Sequence, residues 1–168
     1  SVSRSFALTI PLVEENILGP IMVGYLEARI LDTFEDDIGR RDISLEERIE
    51  AMNMLMDILE NPNAESTKEK IDILTGSADE MVQNPKYRDL VKNMKSVLAV
   101  HSSFDEATKE CMVRWLKEMN FGMQKFLKQE VYSFDDLNEY CYYVAGTPSG
   151  FLTELIRTRS KDLSEENS

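Results

Sequence analysis

Apolar side chains recur at intervals of three and four residues along most of this 168-residue chain, and that spacing constrains the fold more than any other feature. In an α-helix, residues at this spacing lie on one face, so each stripe predicts a helix with one buried side. No convincing stretch shows the alternation of a half-buried strand, so the pattern predicts an all-α fold. Two of these stripes are Leu45, Ile49, Met52, Met56 and Leu59, and Ala107, Cys111, Trp115, Met119, Met123 and Phe126.

Short local motifs mark where these helices begin and end. Ser44–Glu47 and Ser133–Asp136 open two of them, and the first has the serine and glutamate of a capping box. Asn61-Pro62-Asn63 and Asn84-Pro85 interrupt the pattern as turn signals. We therefore expect one helical domain over residues 1–168, with about six or seven helices packed as a bundle.

Between these signals the periodicity predicts two further segments. A short helix is expected over about Thr67–Leu74, and one stripe runs from Tyr87 to His101. The nine methionines lie mostly on the stripes. They are either core filler or the wall of an apolar pocket for a flexible hydrocarbon.

Charge and composition exclude several functions. The chain has 31 acidic and 19 basic residues, a net charge of −12, which argues against nucleic acid and against an anionic membrane surface as partners. One histidine and two cysteines make a structural zinc site or a catalytic triad improbable. So few thiols favour a reducing compartment, so we expect a cytoplasmic protein, and no apolar run is long enough to span a bilayer.

The most informative segment is Tyr25–Asp37, with the sequence YLEARILDTFEDD. On a helix, Tyr25, Arg29, Asp32 and Asp36 fall within an arc of about 60°. Carboxylates one turn apart can share a divalent cation, and hard oxygen ligands suit Mg²⁺. The alternative is a solvated acidic helix surface.

Electrostatics links such a metal to an anionic substrate. A diphosphate beside two ionised carboxylates would meet a repulsion of about 4 kcal/mol per charge pair at about 4 Å. A bound cation would cancel this repulsion and polarise the leaving oxygen. Arg29, one turn away, could bind a phosphate oxygen through its guanidinium fork.

A second segment, Tyr140–Leu155, has the sequence YCYYVAGTPSGFLTEL. It concentrates small residues that let another backbone or a thin ligand chain come close. Pro148 lacks an amide hydrogen and crowds the carbonyl of Val144, so we expect irregular helix geometry there. The segment predicts either a tight helix crossing or an opening into a cavity.

Three segments together resemble the squalene/phytoene synthase family: SRSFA at Ser3–Ala7, YLEARILDTFEDD, and EYCYYVAGTPSGFLTEL. GMQKFL, at Gly122–Leu127, lies where that family has a similar Gly-Met-x-x-Phe element. The resemblance implies an all-α isoprenoid synthase fold around a central cavity. It implies Mg²⁺-dependent head-to-head condensation of two prenyl diphosphates. The product would be presqualene diphosphate and squalene, or the phytoene or dehydrosqualene equivalent. NADPH is implied as reductant if squalene is formed, and the wording of the motifs resembles squalene synthases more than plant phytoene synthases.

The resemblance also implies roles for charged residues. Asp32, Glu35 and Asp36 match the family's first metal-binding motif. Arg4 and Arg29 match its diphosphate-binding arginines.

Aromatic and small residues match the family's pocket. Tyr25 and Tyr140 correspond to tyrosines near the ionising diphosphate, and Phe6 corresponds to a pocket aromatic. Tyr140 is implied as catalytic together with Asp32 and Asp36. The chain-binding tunnel is implied to be lined by Val144, Ala145 and Gly146.

Two departures from the family pattern qualify these expectations. The family has a second Asp-rich motif after YCYYVAG, and none follows Tyr140 here, so residues 1–168 correspond to an N-terminal part with half of the metal site. Relatives read AGTVG where this chain reads AGTPSG. Membrane association is expected only through segments outside this sequence, and the sequence does not indicate an oligomeric state.

Two alternatives to a catalytic prenyltransferase remain. One is a non-catalytic helical relative that acts as an assembly or partner subunit. The other is an unrelated acidic adaptor that binds partner helices through its Met-rich stripe.

Overall fold

The computed structural model describes residues 15–36 and 43–166, and every regular element in these two ranges is helical. This confirms the all-α prediction, with eight α-helices in the described ranges where six or seven were expected. A π-helical turn at Tyr142–Gly146 separates the last two. Within the described part, no helix combines the length and the apolar character needed to cross a bilayer. The helices are α1 Glu15–Asp36, α2 Leu45–Glu60, α3 Thr67–Met81, α4 Pro85–Lys92, α5 Met94–Ser102, α6 Glu106–Lys128, α7 Phe134–Cys141 and α8 Thr147–Glu166.

The helix starts predicted from local motifs are confirmed. The Ser44 hydroxyl accepts from the Glu47 amide at 3.2 Å, and the Ser44 amide donates to the Glu47 carboxylate at 2.8 Å. Ser133 and Asp136 form the same reciprocal pair at the start of α7. Asn84 caps α4 by accepting from the Lys86 amide at 3.0 Å. These caps satisfy backbone amides that have no partner inside the helix.

Two helix boundaries differ from the prediction. Helix α3 continues to Met81 rather than ending near Leu74, because the buried Ala78 extends its apolar face by another turn. The stripe from Tyr87 to His101 is divided into α4 and α5 at Asn93. The Asn93 side-chain amide donates to the Asp89 carbonyl at 2.7 Å, and such side-chain bonds compete with the helical backbone pattern.

Helix α1 lies at the centre of the fold and packs against α2, α4, α5, α6 and α8. Ile30, Leu31 and Phe34 of α1 are buried in the main hydrophobic cluster. Five methionines belong to the same cluster, which supports their prediction as core filler. They are Met52, Met56, Met94, Met119 and Met123.

A buried polar pair joins α1 to α5. His101 Nδ1 lies 2.7 Å from Glu27 Oε1, and the two residues are 3% and 0% exposed. Burial raises the pKa of Glu27, and the contact with His101 opposes that rise. The single histidine therefore serves helix packing in this structure.

Glycines allow helix α6 to approach the segment that follows α7. A Cβ on Gly122 would overlap Cβ and Cγ of Tyr143, and a Cβ on Gly150 would overlap the ring of Trp115. The Gly150 contact confirms that a small residue permits close approach in this segment. Gly122 is a second such position on the facing helix.

We expect Gly122→Ala to lower the free energy of unfolding by about 1–3 kcal/mol, the range typical of overpacking. Rotation of the Tyr143 ring cannot relieve the overlap, since the Tyr143 Cβ itself is involved. Urea unfolding of both proteins measures the difference.

Gly76→Ala is the matched control. Gly76 lies inside α3 with no atom within 4 Å of its added Cβ, so alanine should raise stability by about 0.5–1 kcal/mol. Equal stabilisation by both substitutions would contradict the close packing at Gly122.

Candidate active site

A cavity of about 280 Å³ lies between α1, α6 and the segment from α7 to α8. Its walls are mostly apolar. Among the described residues, four with charged or phenolic side chains line it, and they are Tyr25, Arg29, Asp32 and Tyr140. The other described lining residues are Ile21, Gly24, Ala28, Met112, Trp115, Leu116, Met119, Val144, Thr147, Pro148, Phe151 and Leu152.

The cavity has a polar end and an apolar end, because α1 and the segment from α7 to α8 run along it in opposite directions. Tyr140 and Asp32 lie together at one end. At the other end the Phe151 ring comes within 2.9 Å of a Cβ built on Gly24. Gly24 and Asp32 are eight residues apart on α1, which corresponds to roughly 12 Å along the helix axis. The site therefore suits a ligand with a charged head and an apolar tail.

Three carboxylates cluster beside the polar end. Asp32, Glu35 and Asp36 each contribute an oxygen, and these oxygens lie within 4.8 Å of one another. Asp32 is half-buried, Glu35 is 4% exposed, and Asp36 is exposed. The spacing of these three acids along the final turns of α1 brings their carboxylates together, as helix geometry predicts from the sequence.

The environment disfavours the charged forms of two of these acids. Burial, then the charges of Asp36 and Asp32, raises the pKa of Glu35 to about 7, although Arg48 opposes the rise. Burial also raises the pKa of Asp32, in spite of the neighbouring Arg29. Three hard oxygen donors whose charges repel one another are the donor set that Mg²⁺ takes in proteins, so these residues fit the metal implied by the sequence.

Arg29 is anchored between an acid and two aromatic rings. Its guanidinium donates to Asp32, and its Cζ lies 5.9 Å from the Tyr25 ring centre and 5.2 Å from that of Tyr87. This arrangement holds a permanent cation at the polar end of the cavity. Sequence analysis did not identify Tyr87 as part of the site, because α4 lies far from α1 along the chain.

Tyr140 faces the acidic cluster from the other side of the cavity. Burial, followed by the charges of Glu35, Asp36 and Asp32, raises the pKa of Tyr140 to about 12. Its hydroxyl therefore stays protonated at neutral pH and keeps a hydrogen that it can donate. The ring packs edge-on against Phe126, with centroids 5.4 Å apart.

The structure brings most of the predicted site residues together. Tyr25, Arg29, Asp32, Tyr140 and Val144 line the cavity, and the carboxylates of the other two acids adjoin it through the cluster.

Four predicted positions need separate mention. Ala145 is exposed and Gly146 is half-buried, and neither lines the cavity as the predicted tunnel required. Val144 lines the cavity, and consecutive helical residues point roughly 100° apart, so the two residues after it face other directions. Arg4 and Phe6 lie outside the described residues.

Sequence analysis missed several lining residues on α6 and α8. Met119 belongs to the predicted stripe of α6 and Met112 directly follows a member of it, so the alternative interpretation of the methionines as a pocket wall was the available signal. Trp115 was assigned only to a helix stripe. Helical geometry is irregular just before Pro148, as expected, and the Thr147 amide donates to the Tyr142 carbonyl across the wider turn.

Comparison with known proteins agrees with this geometry. The family model described as squalene/phytoene synthase matches residues 1–168. Squalene synthase 1 of Arabidopsis thaliana is 30% identical over 163 residues, which are 92% of this chain and 34% of that protein. Presqualene diphosphate synthase of Botryococcus braunii is 26% identical over 156 residues, 93% of this chain and 34% of that protein.

The similarity extends to three-dimensional structure. The solved complex of TcSQS with the ligand E5700 superposes with a TM-score of 0.76 at 27% identity, covering 95% of this chain and 42% of that one. This confirms the predicted fold class. The chain spans about a third of the length of the curated relatives it matches.

Glu35 predicts a pH dependence of stability. Because its folded pKa of about 7 lies above the ordinary 4.5, the folded state binds more protons than the unfolded state between these values. Stability should therefore fall as pH rises through this window, by up to about 3 kcal/mol, and Glu35→Gln should remove most of that fall. Urea unfolding in metal-free buffer at about pH 5 and about pH 8 measures it.

Glu110→Gln, at an exposed position on α6, is the control and should leave the pH dependence unchanged. An equal fall in the wild type and in Glu35→Gln would show that other groups cause it.

Proposed function

The chain belongs to the squalene/phytoene synthase family, and on this premise we propose that it forms part of a Mg²⁺-dependent site for head-to-head condensation of two prenyl diphosphates. The observation that carries the proposal is the carboxylate cluster at the polar end of an apolar cavity. Farnesyl diphosphate is the proposed substrate and presqualene diphosphate, then squalene, the proposed products. Relatives named squalene synthase and presqualene diphosphate synthase support this choice over phytoene.

Asp32, Glu35 and Asp36 would hold the metal. When bound, Mg²⁺ supplies positive charge that neutralises the diphosphate and stabilises it as a leaving group. The cluster would reject an anionic substrate by itself, since like charges at this separation repel strongly in a half-buried setting. Metal dependence is therefore part of the proposal.

The residues around the cluster would orient the diphosphate. Arg29 is a fixed cation that can bind a phosphate oxygen with the guanidinium face not used by Asp32. The Tyr140 hydroxyl, protonated at neutral pH, can donate a hydrogen bond to the same group. Both lie at the end of the cavity where the acidic cluster sits.

The apolar end would hold the hydrocarbon. Loss of diphosphate leaves an allylic cation, and the rings of Tyr25 and Tyr140 present π-faces that stabilise such a charge within about 6 Å. The surrounding methionines and aromatic residues keep out water, which would otherwise quench the cation. Formation of squalene would further use NADPH as hydride donor, and we assign no residue of this chain to it.

Family membership excludes the unrelated acidic adaptor. A non-catalytic relative would differ from the proposed enzyme in one measurable respect, since it would release no diphosphate from any prenyl diphosphate. Detection of presqualene diphosphate or a hydrocarbon product would rule it out.

We expect a non-hydrolysable farnesyl diphosphate analogue to raise the melting temperature only when Mg²⁺ is present. Asp32→Asn should abolish this Mg²⁺-dependent rise, because it removes one metal ligand while keeping the side-chain shape. Differential scanning fluorimetry with and without Mg²⁺ measures the effect within each variant.

Asp79→Asn provides the control. Asp79 is an exposed acid on α3 that pairs with Lys92, so the variant should keep the full Mg²⁺-dependent rise. A rise that needs no metal, or that persists in Asp32→Asn, would count against the proposed site.

A further inference from the structure

The ring of Trp115, a residue of α6, fills a gap between α6 and α8. Trp115 lines the cavity, and its ring fills the space that a side chain at position 150 would take. A Cβ on Gly150 would overlap Cη2, Cζ3 and Cζ2 of the indole. The pair of Trp115 and Gly150 therefore allows a large ring to reach the cavity wall without separating the two helices.

The indole is held in place by Glu154 on α8, which is itself paired with Arg114 on α6. We call this pair the polar clamp. Trp115 Nε1 donates to Glu154 Oε2 at 2.8 Å, and the Arg114 guanidinium pairs with the other carboxylate oxygen. Arg114 Cζ also lies 6.0 Å from the Trp115 ring centre. The Arg114 contact lowers the pKa of Glu154, so the acceptor remains charged at neutral pH. A ligand could displace the ring only by breaking this arrangement.

The clamp lies toward the apolar end of the cavity. Gly150 directly precedes Phe151, whose ring packs against Gly24, and Glu154 lies one turn further along α8. Tyr140 and the carboxylate cluster are at the opposite end. A chain extending from a diphosphate at the polar end would therefore run toward Trp115 and Phe151.

The cavity is small enough for this position to matter. Its volume of about 280 Å³ lies at the lower edge of the roughly 300–1,000 Å³ typical of small-molecule sites. Every added isoprene unit must find space beside two rings, one of which is fixed by a hydrogen bond.

We propose that Trp115, clamped by Glu154, determines the length of the prenyl chain that this cavity accepts. The inference rests on the proposed function and names a specificity residue within the same site. It predicts that farnesyl is accepted and that the longer geranylgeranyl chain is excluded by the indole.

Binding of three chain lengths tests the inference. The probes are non-hydrolysable analogues of geranyl, farnesyl and geranylgeranyl diphosphate, titrated with Mg²⁺ into the wild-type chain and into Trp115→Leu. In the wild type the farnesyl analogue should bind at least ~10-fold more tightly than the geranylgeranyl analogue, the scale on which pockets discriminate single methylenes. Trp115→Leu should tighten geranylgeranyl binding by a similar factor and leave geranyl binding unchanged, because the shorter chain ends before the indole.

Glu154 provides a second, independent pair of variants. Glu154→Ala removes the acceptor and should relax the chain-length preference in the same direction as Trp115→Leu. Glu154→Gln keeps an oxygen acceptor for the indole and should restore the preference. Phe121→Leu, at an exposed position on α6, the helix that carries Trp115, is the control and should not alter the preference.

The outcomes separate the two proposals. If no analogue binds the wild type in a Mg²⁺-dependent manner, the proposed function and this inference both fail. If the farnesyl analogue binds but the ratio between chain lengths is unchanged in Trp115→Leu and Glu154→Ala, only this inference fails. Equal weakening of all three analogues would likewise overturn it, since that result indicates a structural role alone.

Discussion

Repulsion among three carboxylates on the last turns of α1 is the constraint on which the rest of the site depends. Oxygens of Asp32, Glu35 and Asp36 lie within 4.8 Å of one another, and two of these acids are partly or largely removed from water. An arrangement of this kind costs free energy unless positive charge is supplied. Arg29 and Arg48 supply part of it from within the chain. In the proposed function a divalent cation would supply the remainder and so offset the cost of placing this cluster at the polar end of the cavity.

The packing of α1 keeps the cluster in position. Buried residues on its other faces hold the helix in the core, so the acidic turn cannot move away to relieve the repulsion. The Arg48 side chain donates to the Phe34 carbonyl at 3.4 Å, close to the end of the helix. The segment from α7 to α8 runs in the opposite direction, so its tyrosine end meets the acids and its phenylalanine end meets the glycine on α1. A cavity that is charged at one end and apolar at the other follows from this antiparallel arrangement.

Local features of the fold and of the site could be predicted from sequence, and contacts between distant segments could not. The capping boxes at Ser44 and Ser133 depend on residues three positions apart, and the acidic cluster depends on helix geometry alone. By contrast, the position of Tyr87 beside Arg29, the pairing of Glu27 with His101, and the fit of Trp115 over Gly150 each join helices that are far apart in sequence. No periodicity encodes them. The break at Asn93 was also missed, because the apolar stripe continues through it even though the helix does not.

Resemblance to a family identified the polar end of the site better than its apolar end. The acids and the arginine lie where the motif implied, whereas Ala145 and Gly146 do not line the cavity, and α6 contributes residues that the motifs did not include. Ordinary helix geometry accounts for the first difference, since consecutive residues point roughly 100° apart and Val144, Ala145 and Gly146 cannot all face one cavity. The second reflects close packing of α6 against α8, which short local motifs do not encode.

Diffraction from crystals grown with Mn²⁺ and a non-hydrolysable farnesyl diphosphate analogue tests the central claim most directly, because the anomalous signal of manganese locates the ion without reference to any binding assay. We predict an anomalous peak in coordination contact with the carboxylates of Asp32, Glu35 and Asp36, with the diphosphate between that ion and Arg29 and the hydrocarbon extending toward Trp115. An ion bound elsewhere, with these three carboxylates contacting only water or protein, would contradict the account.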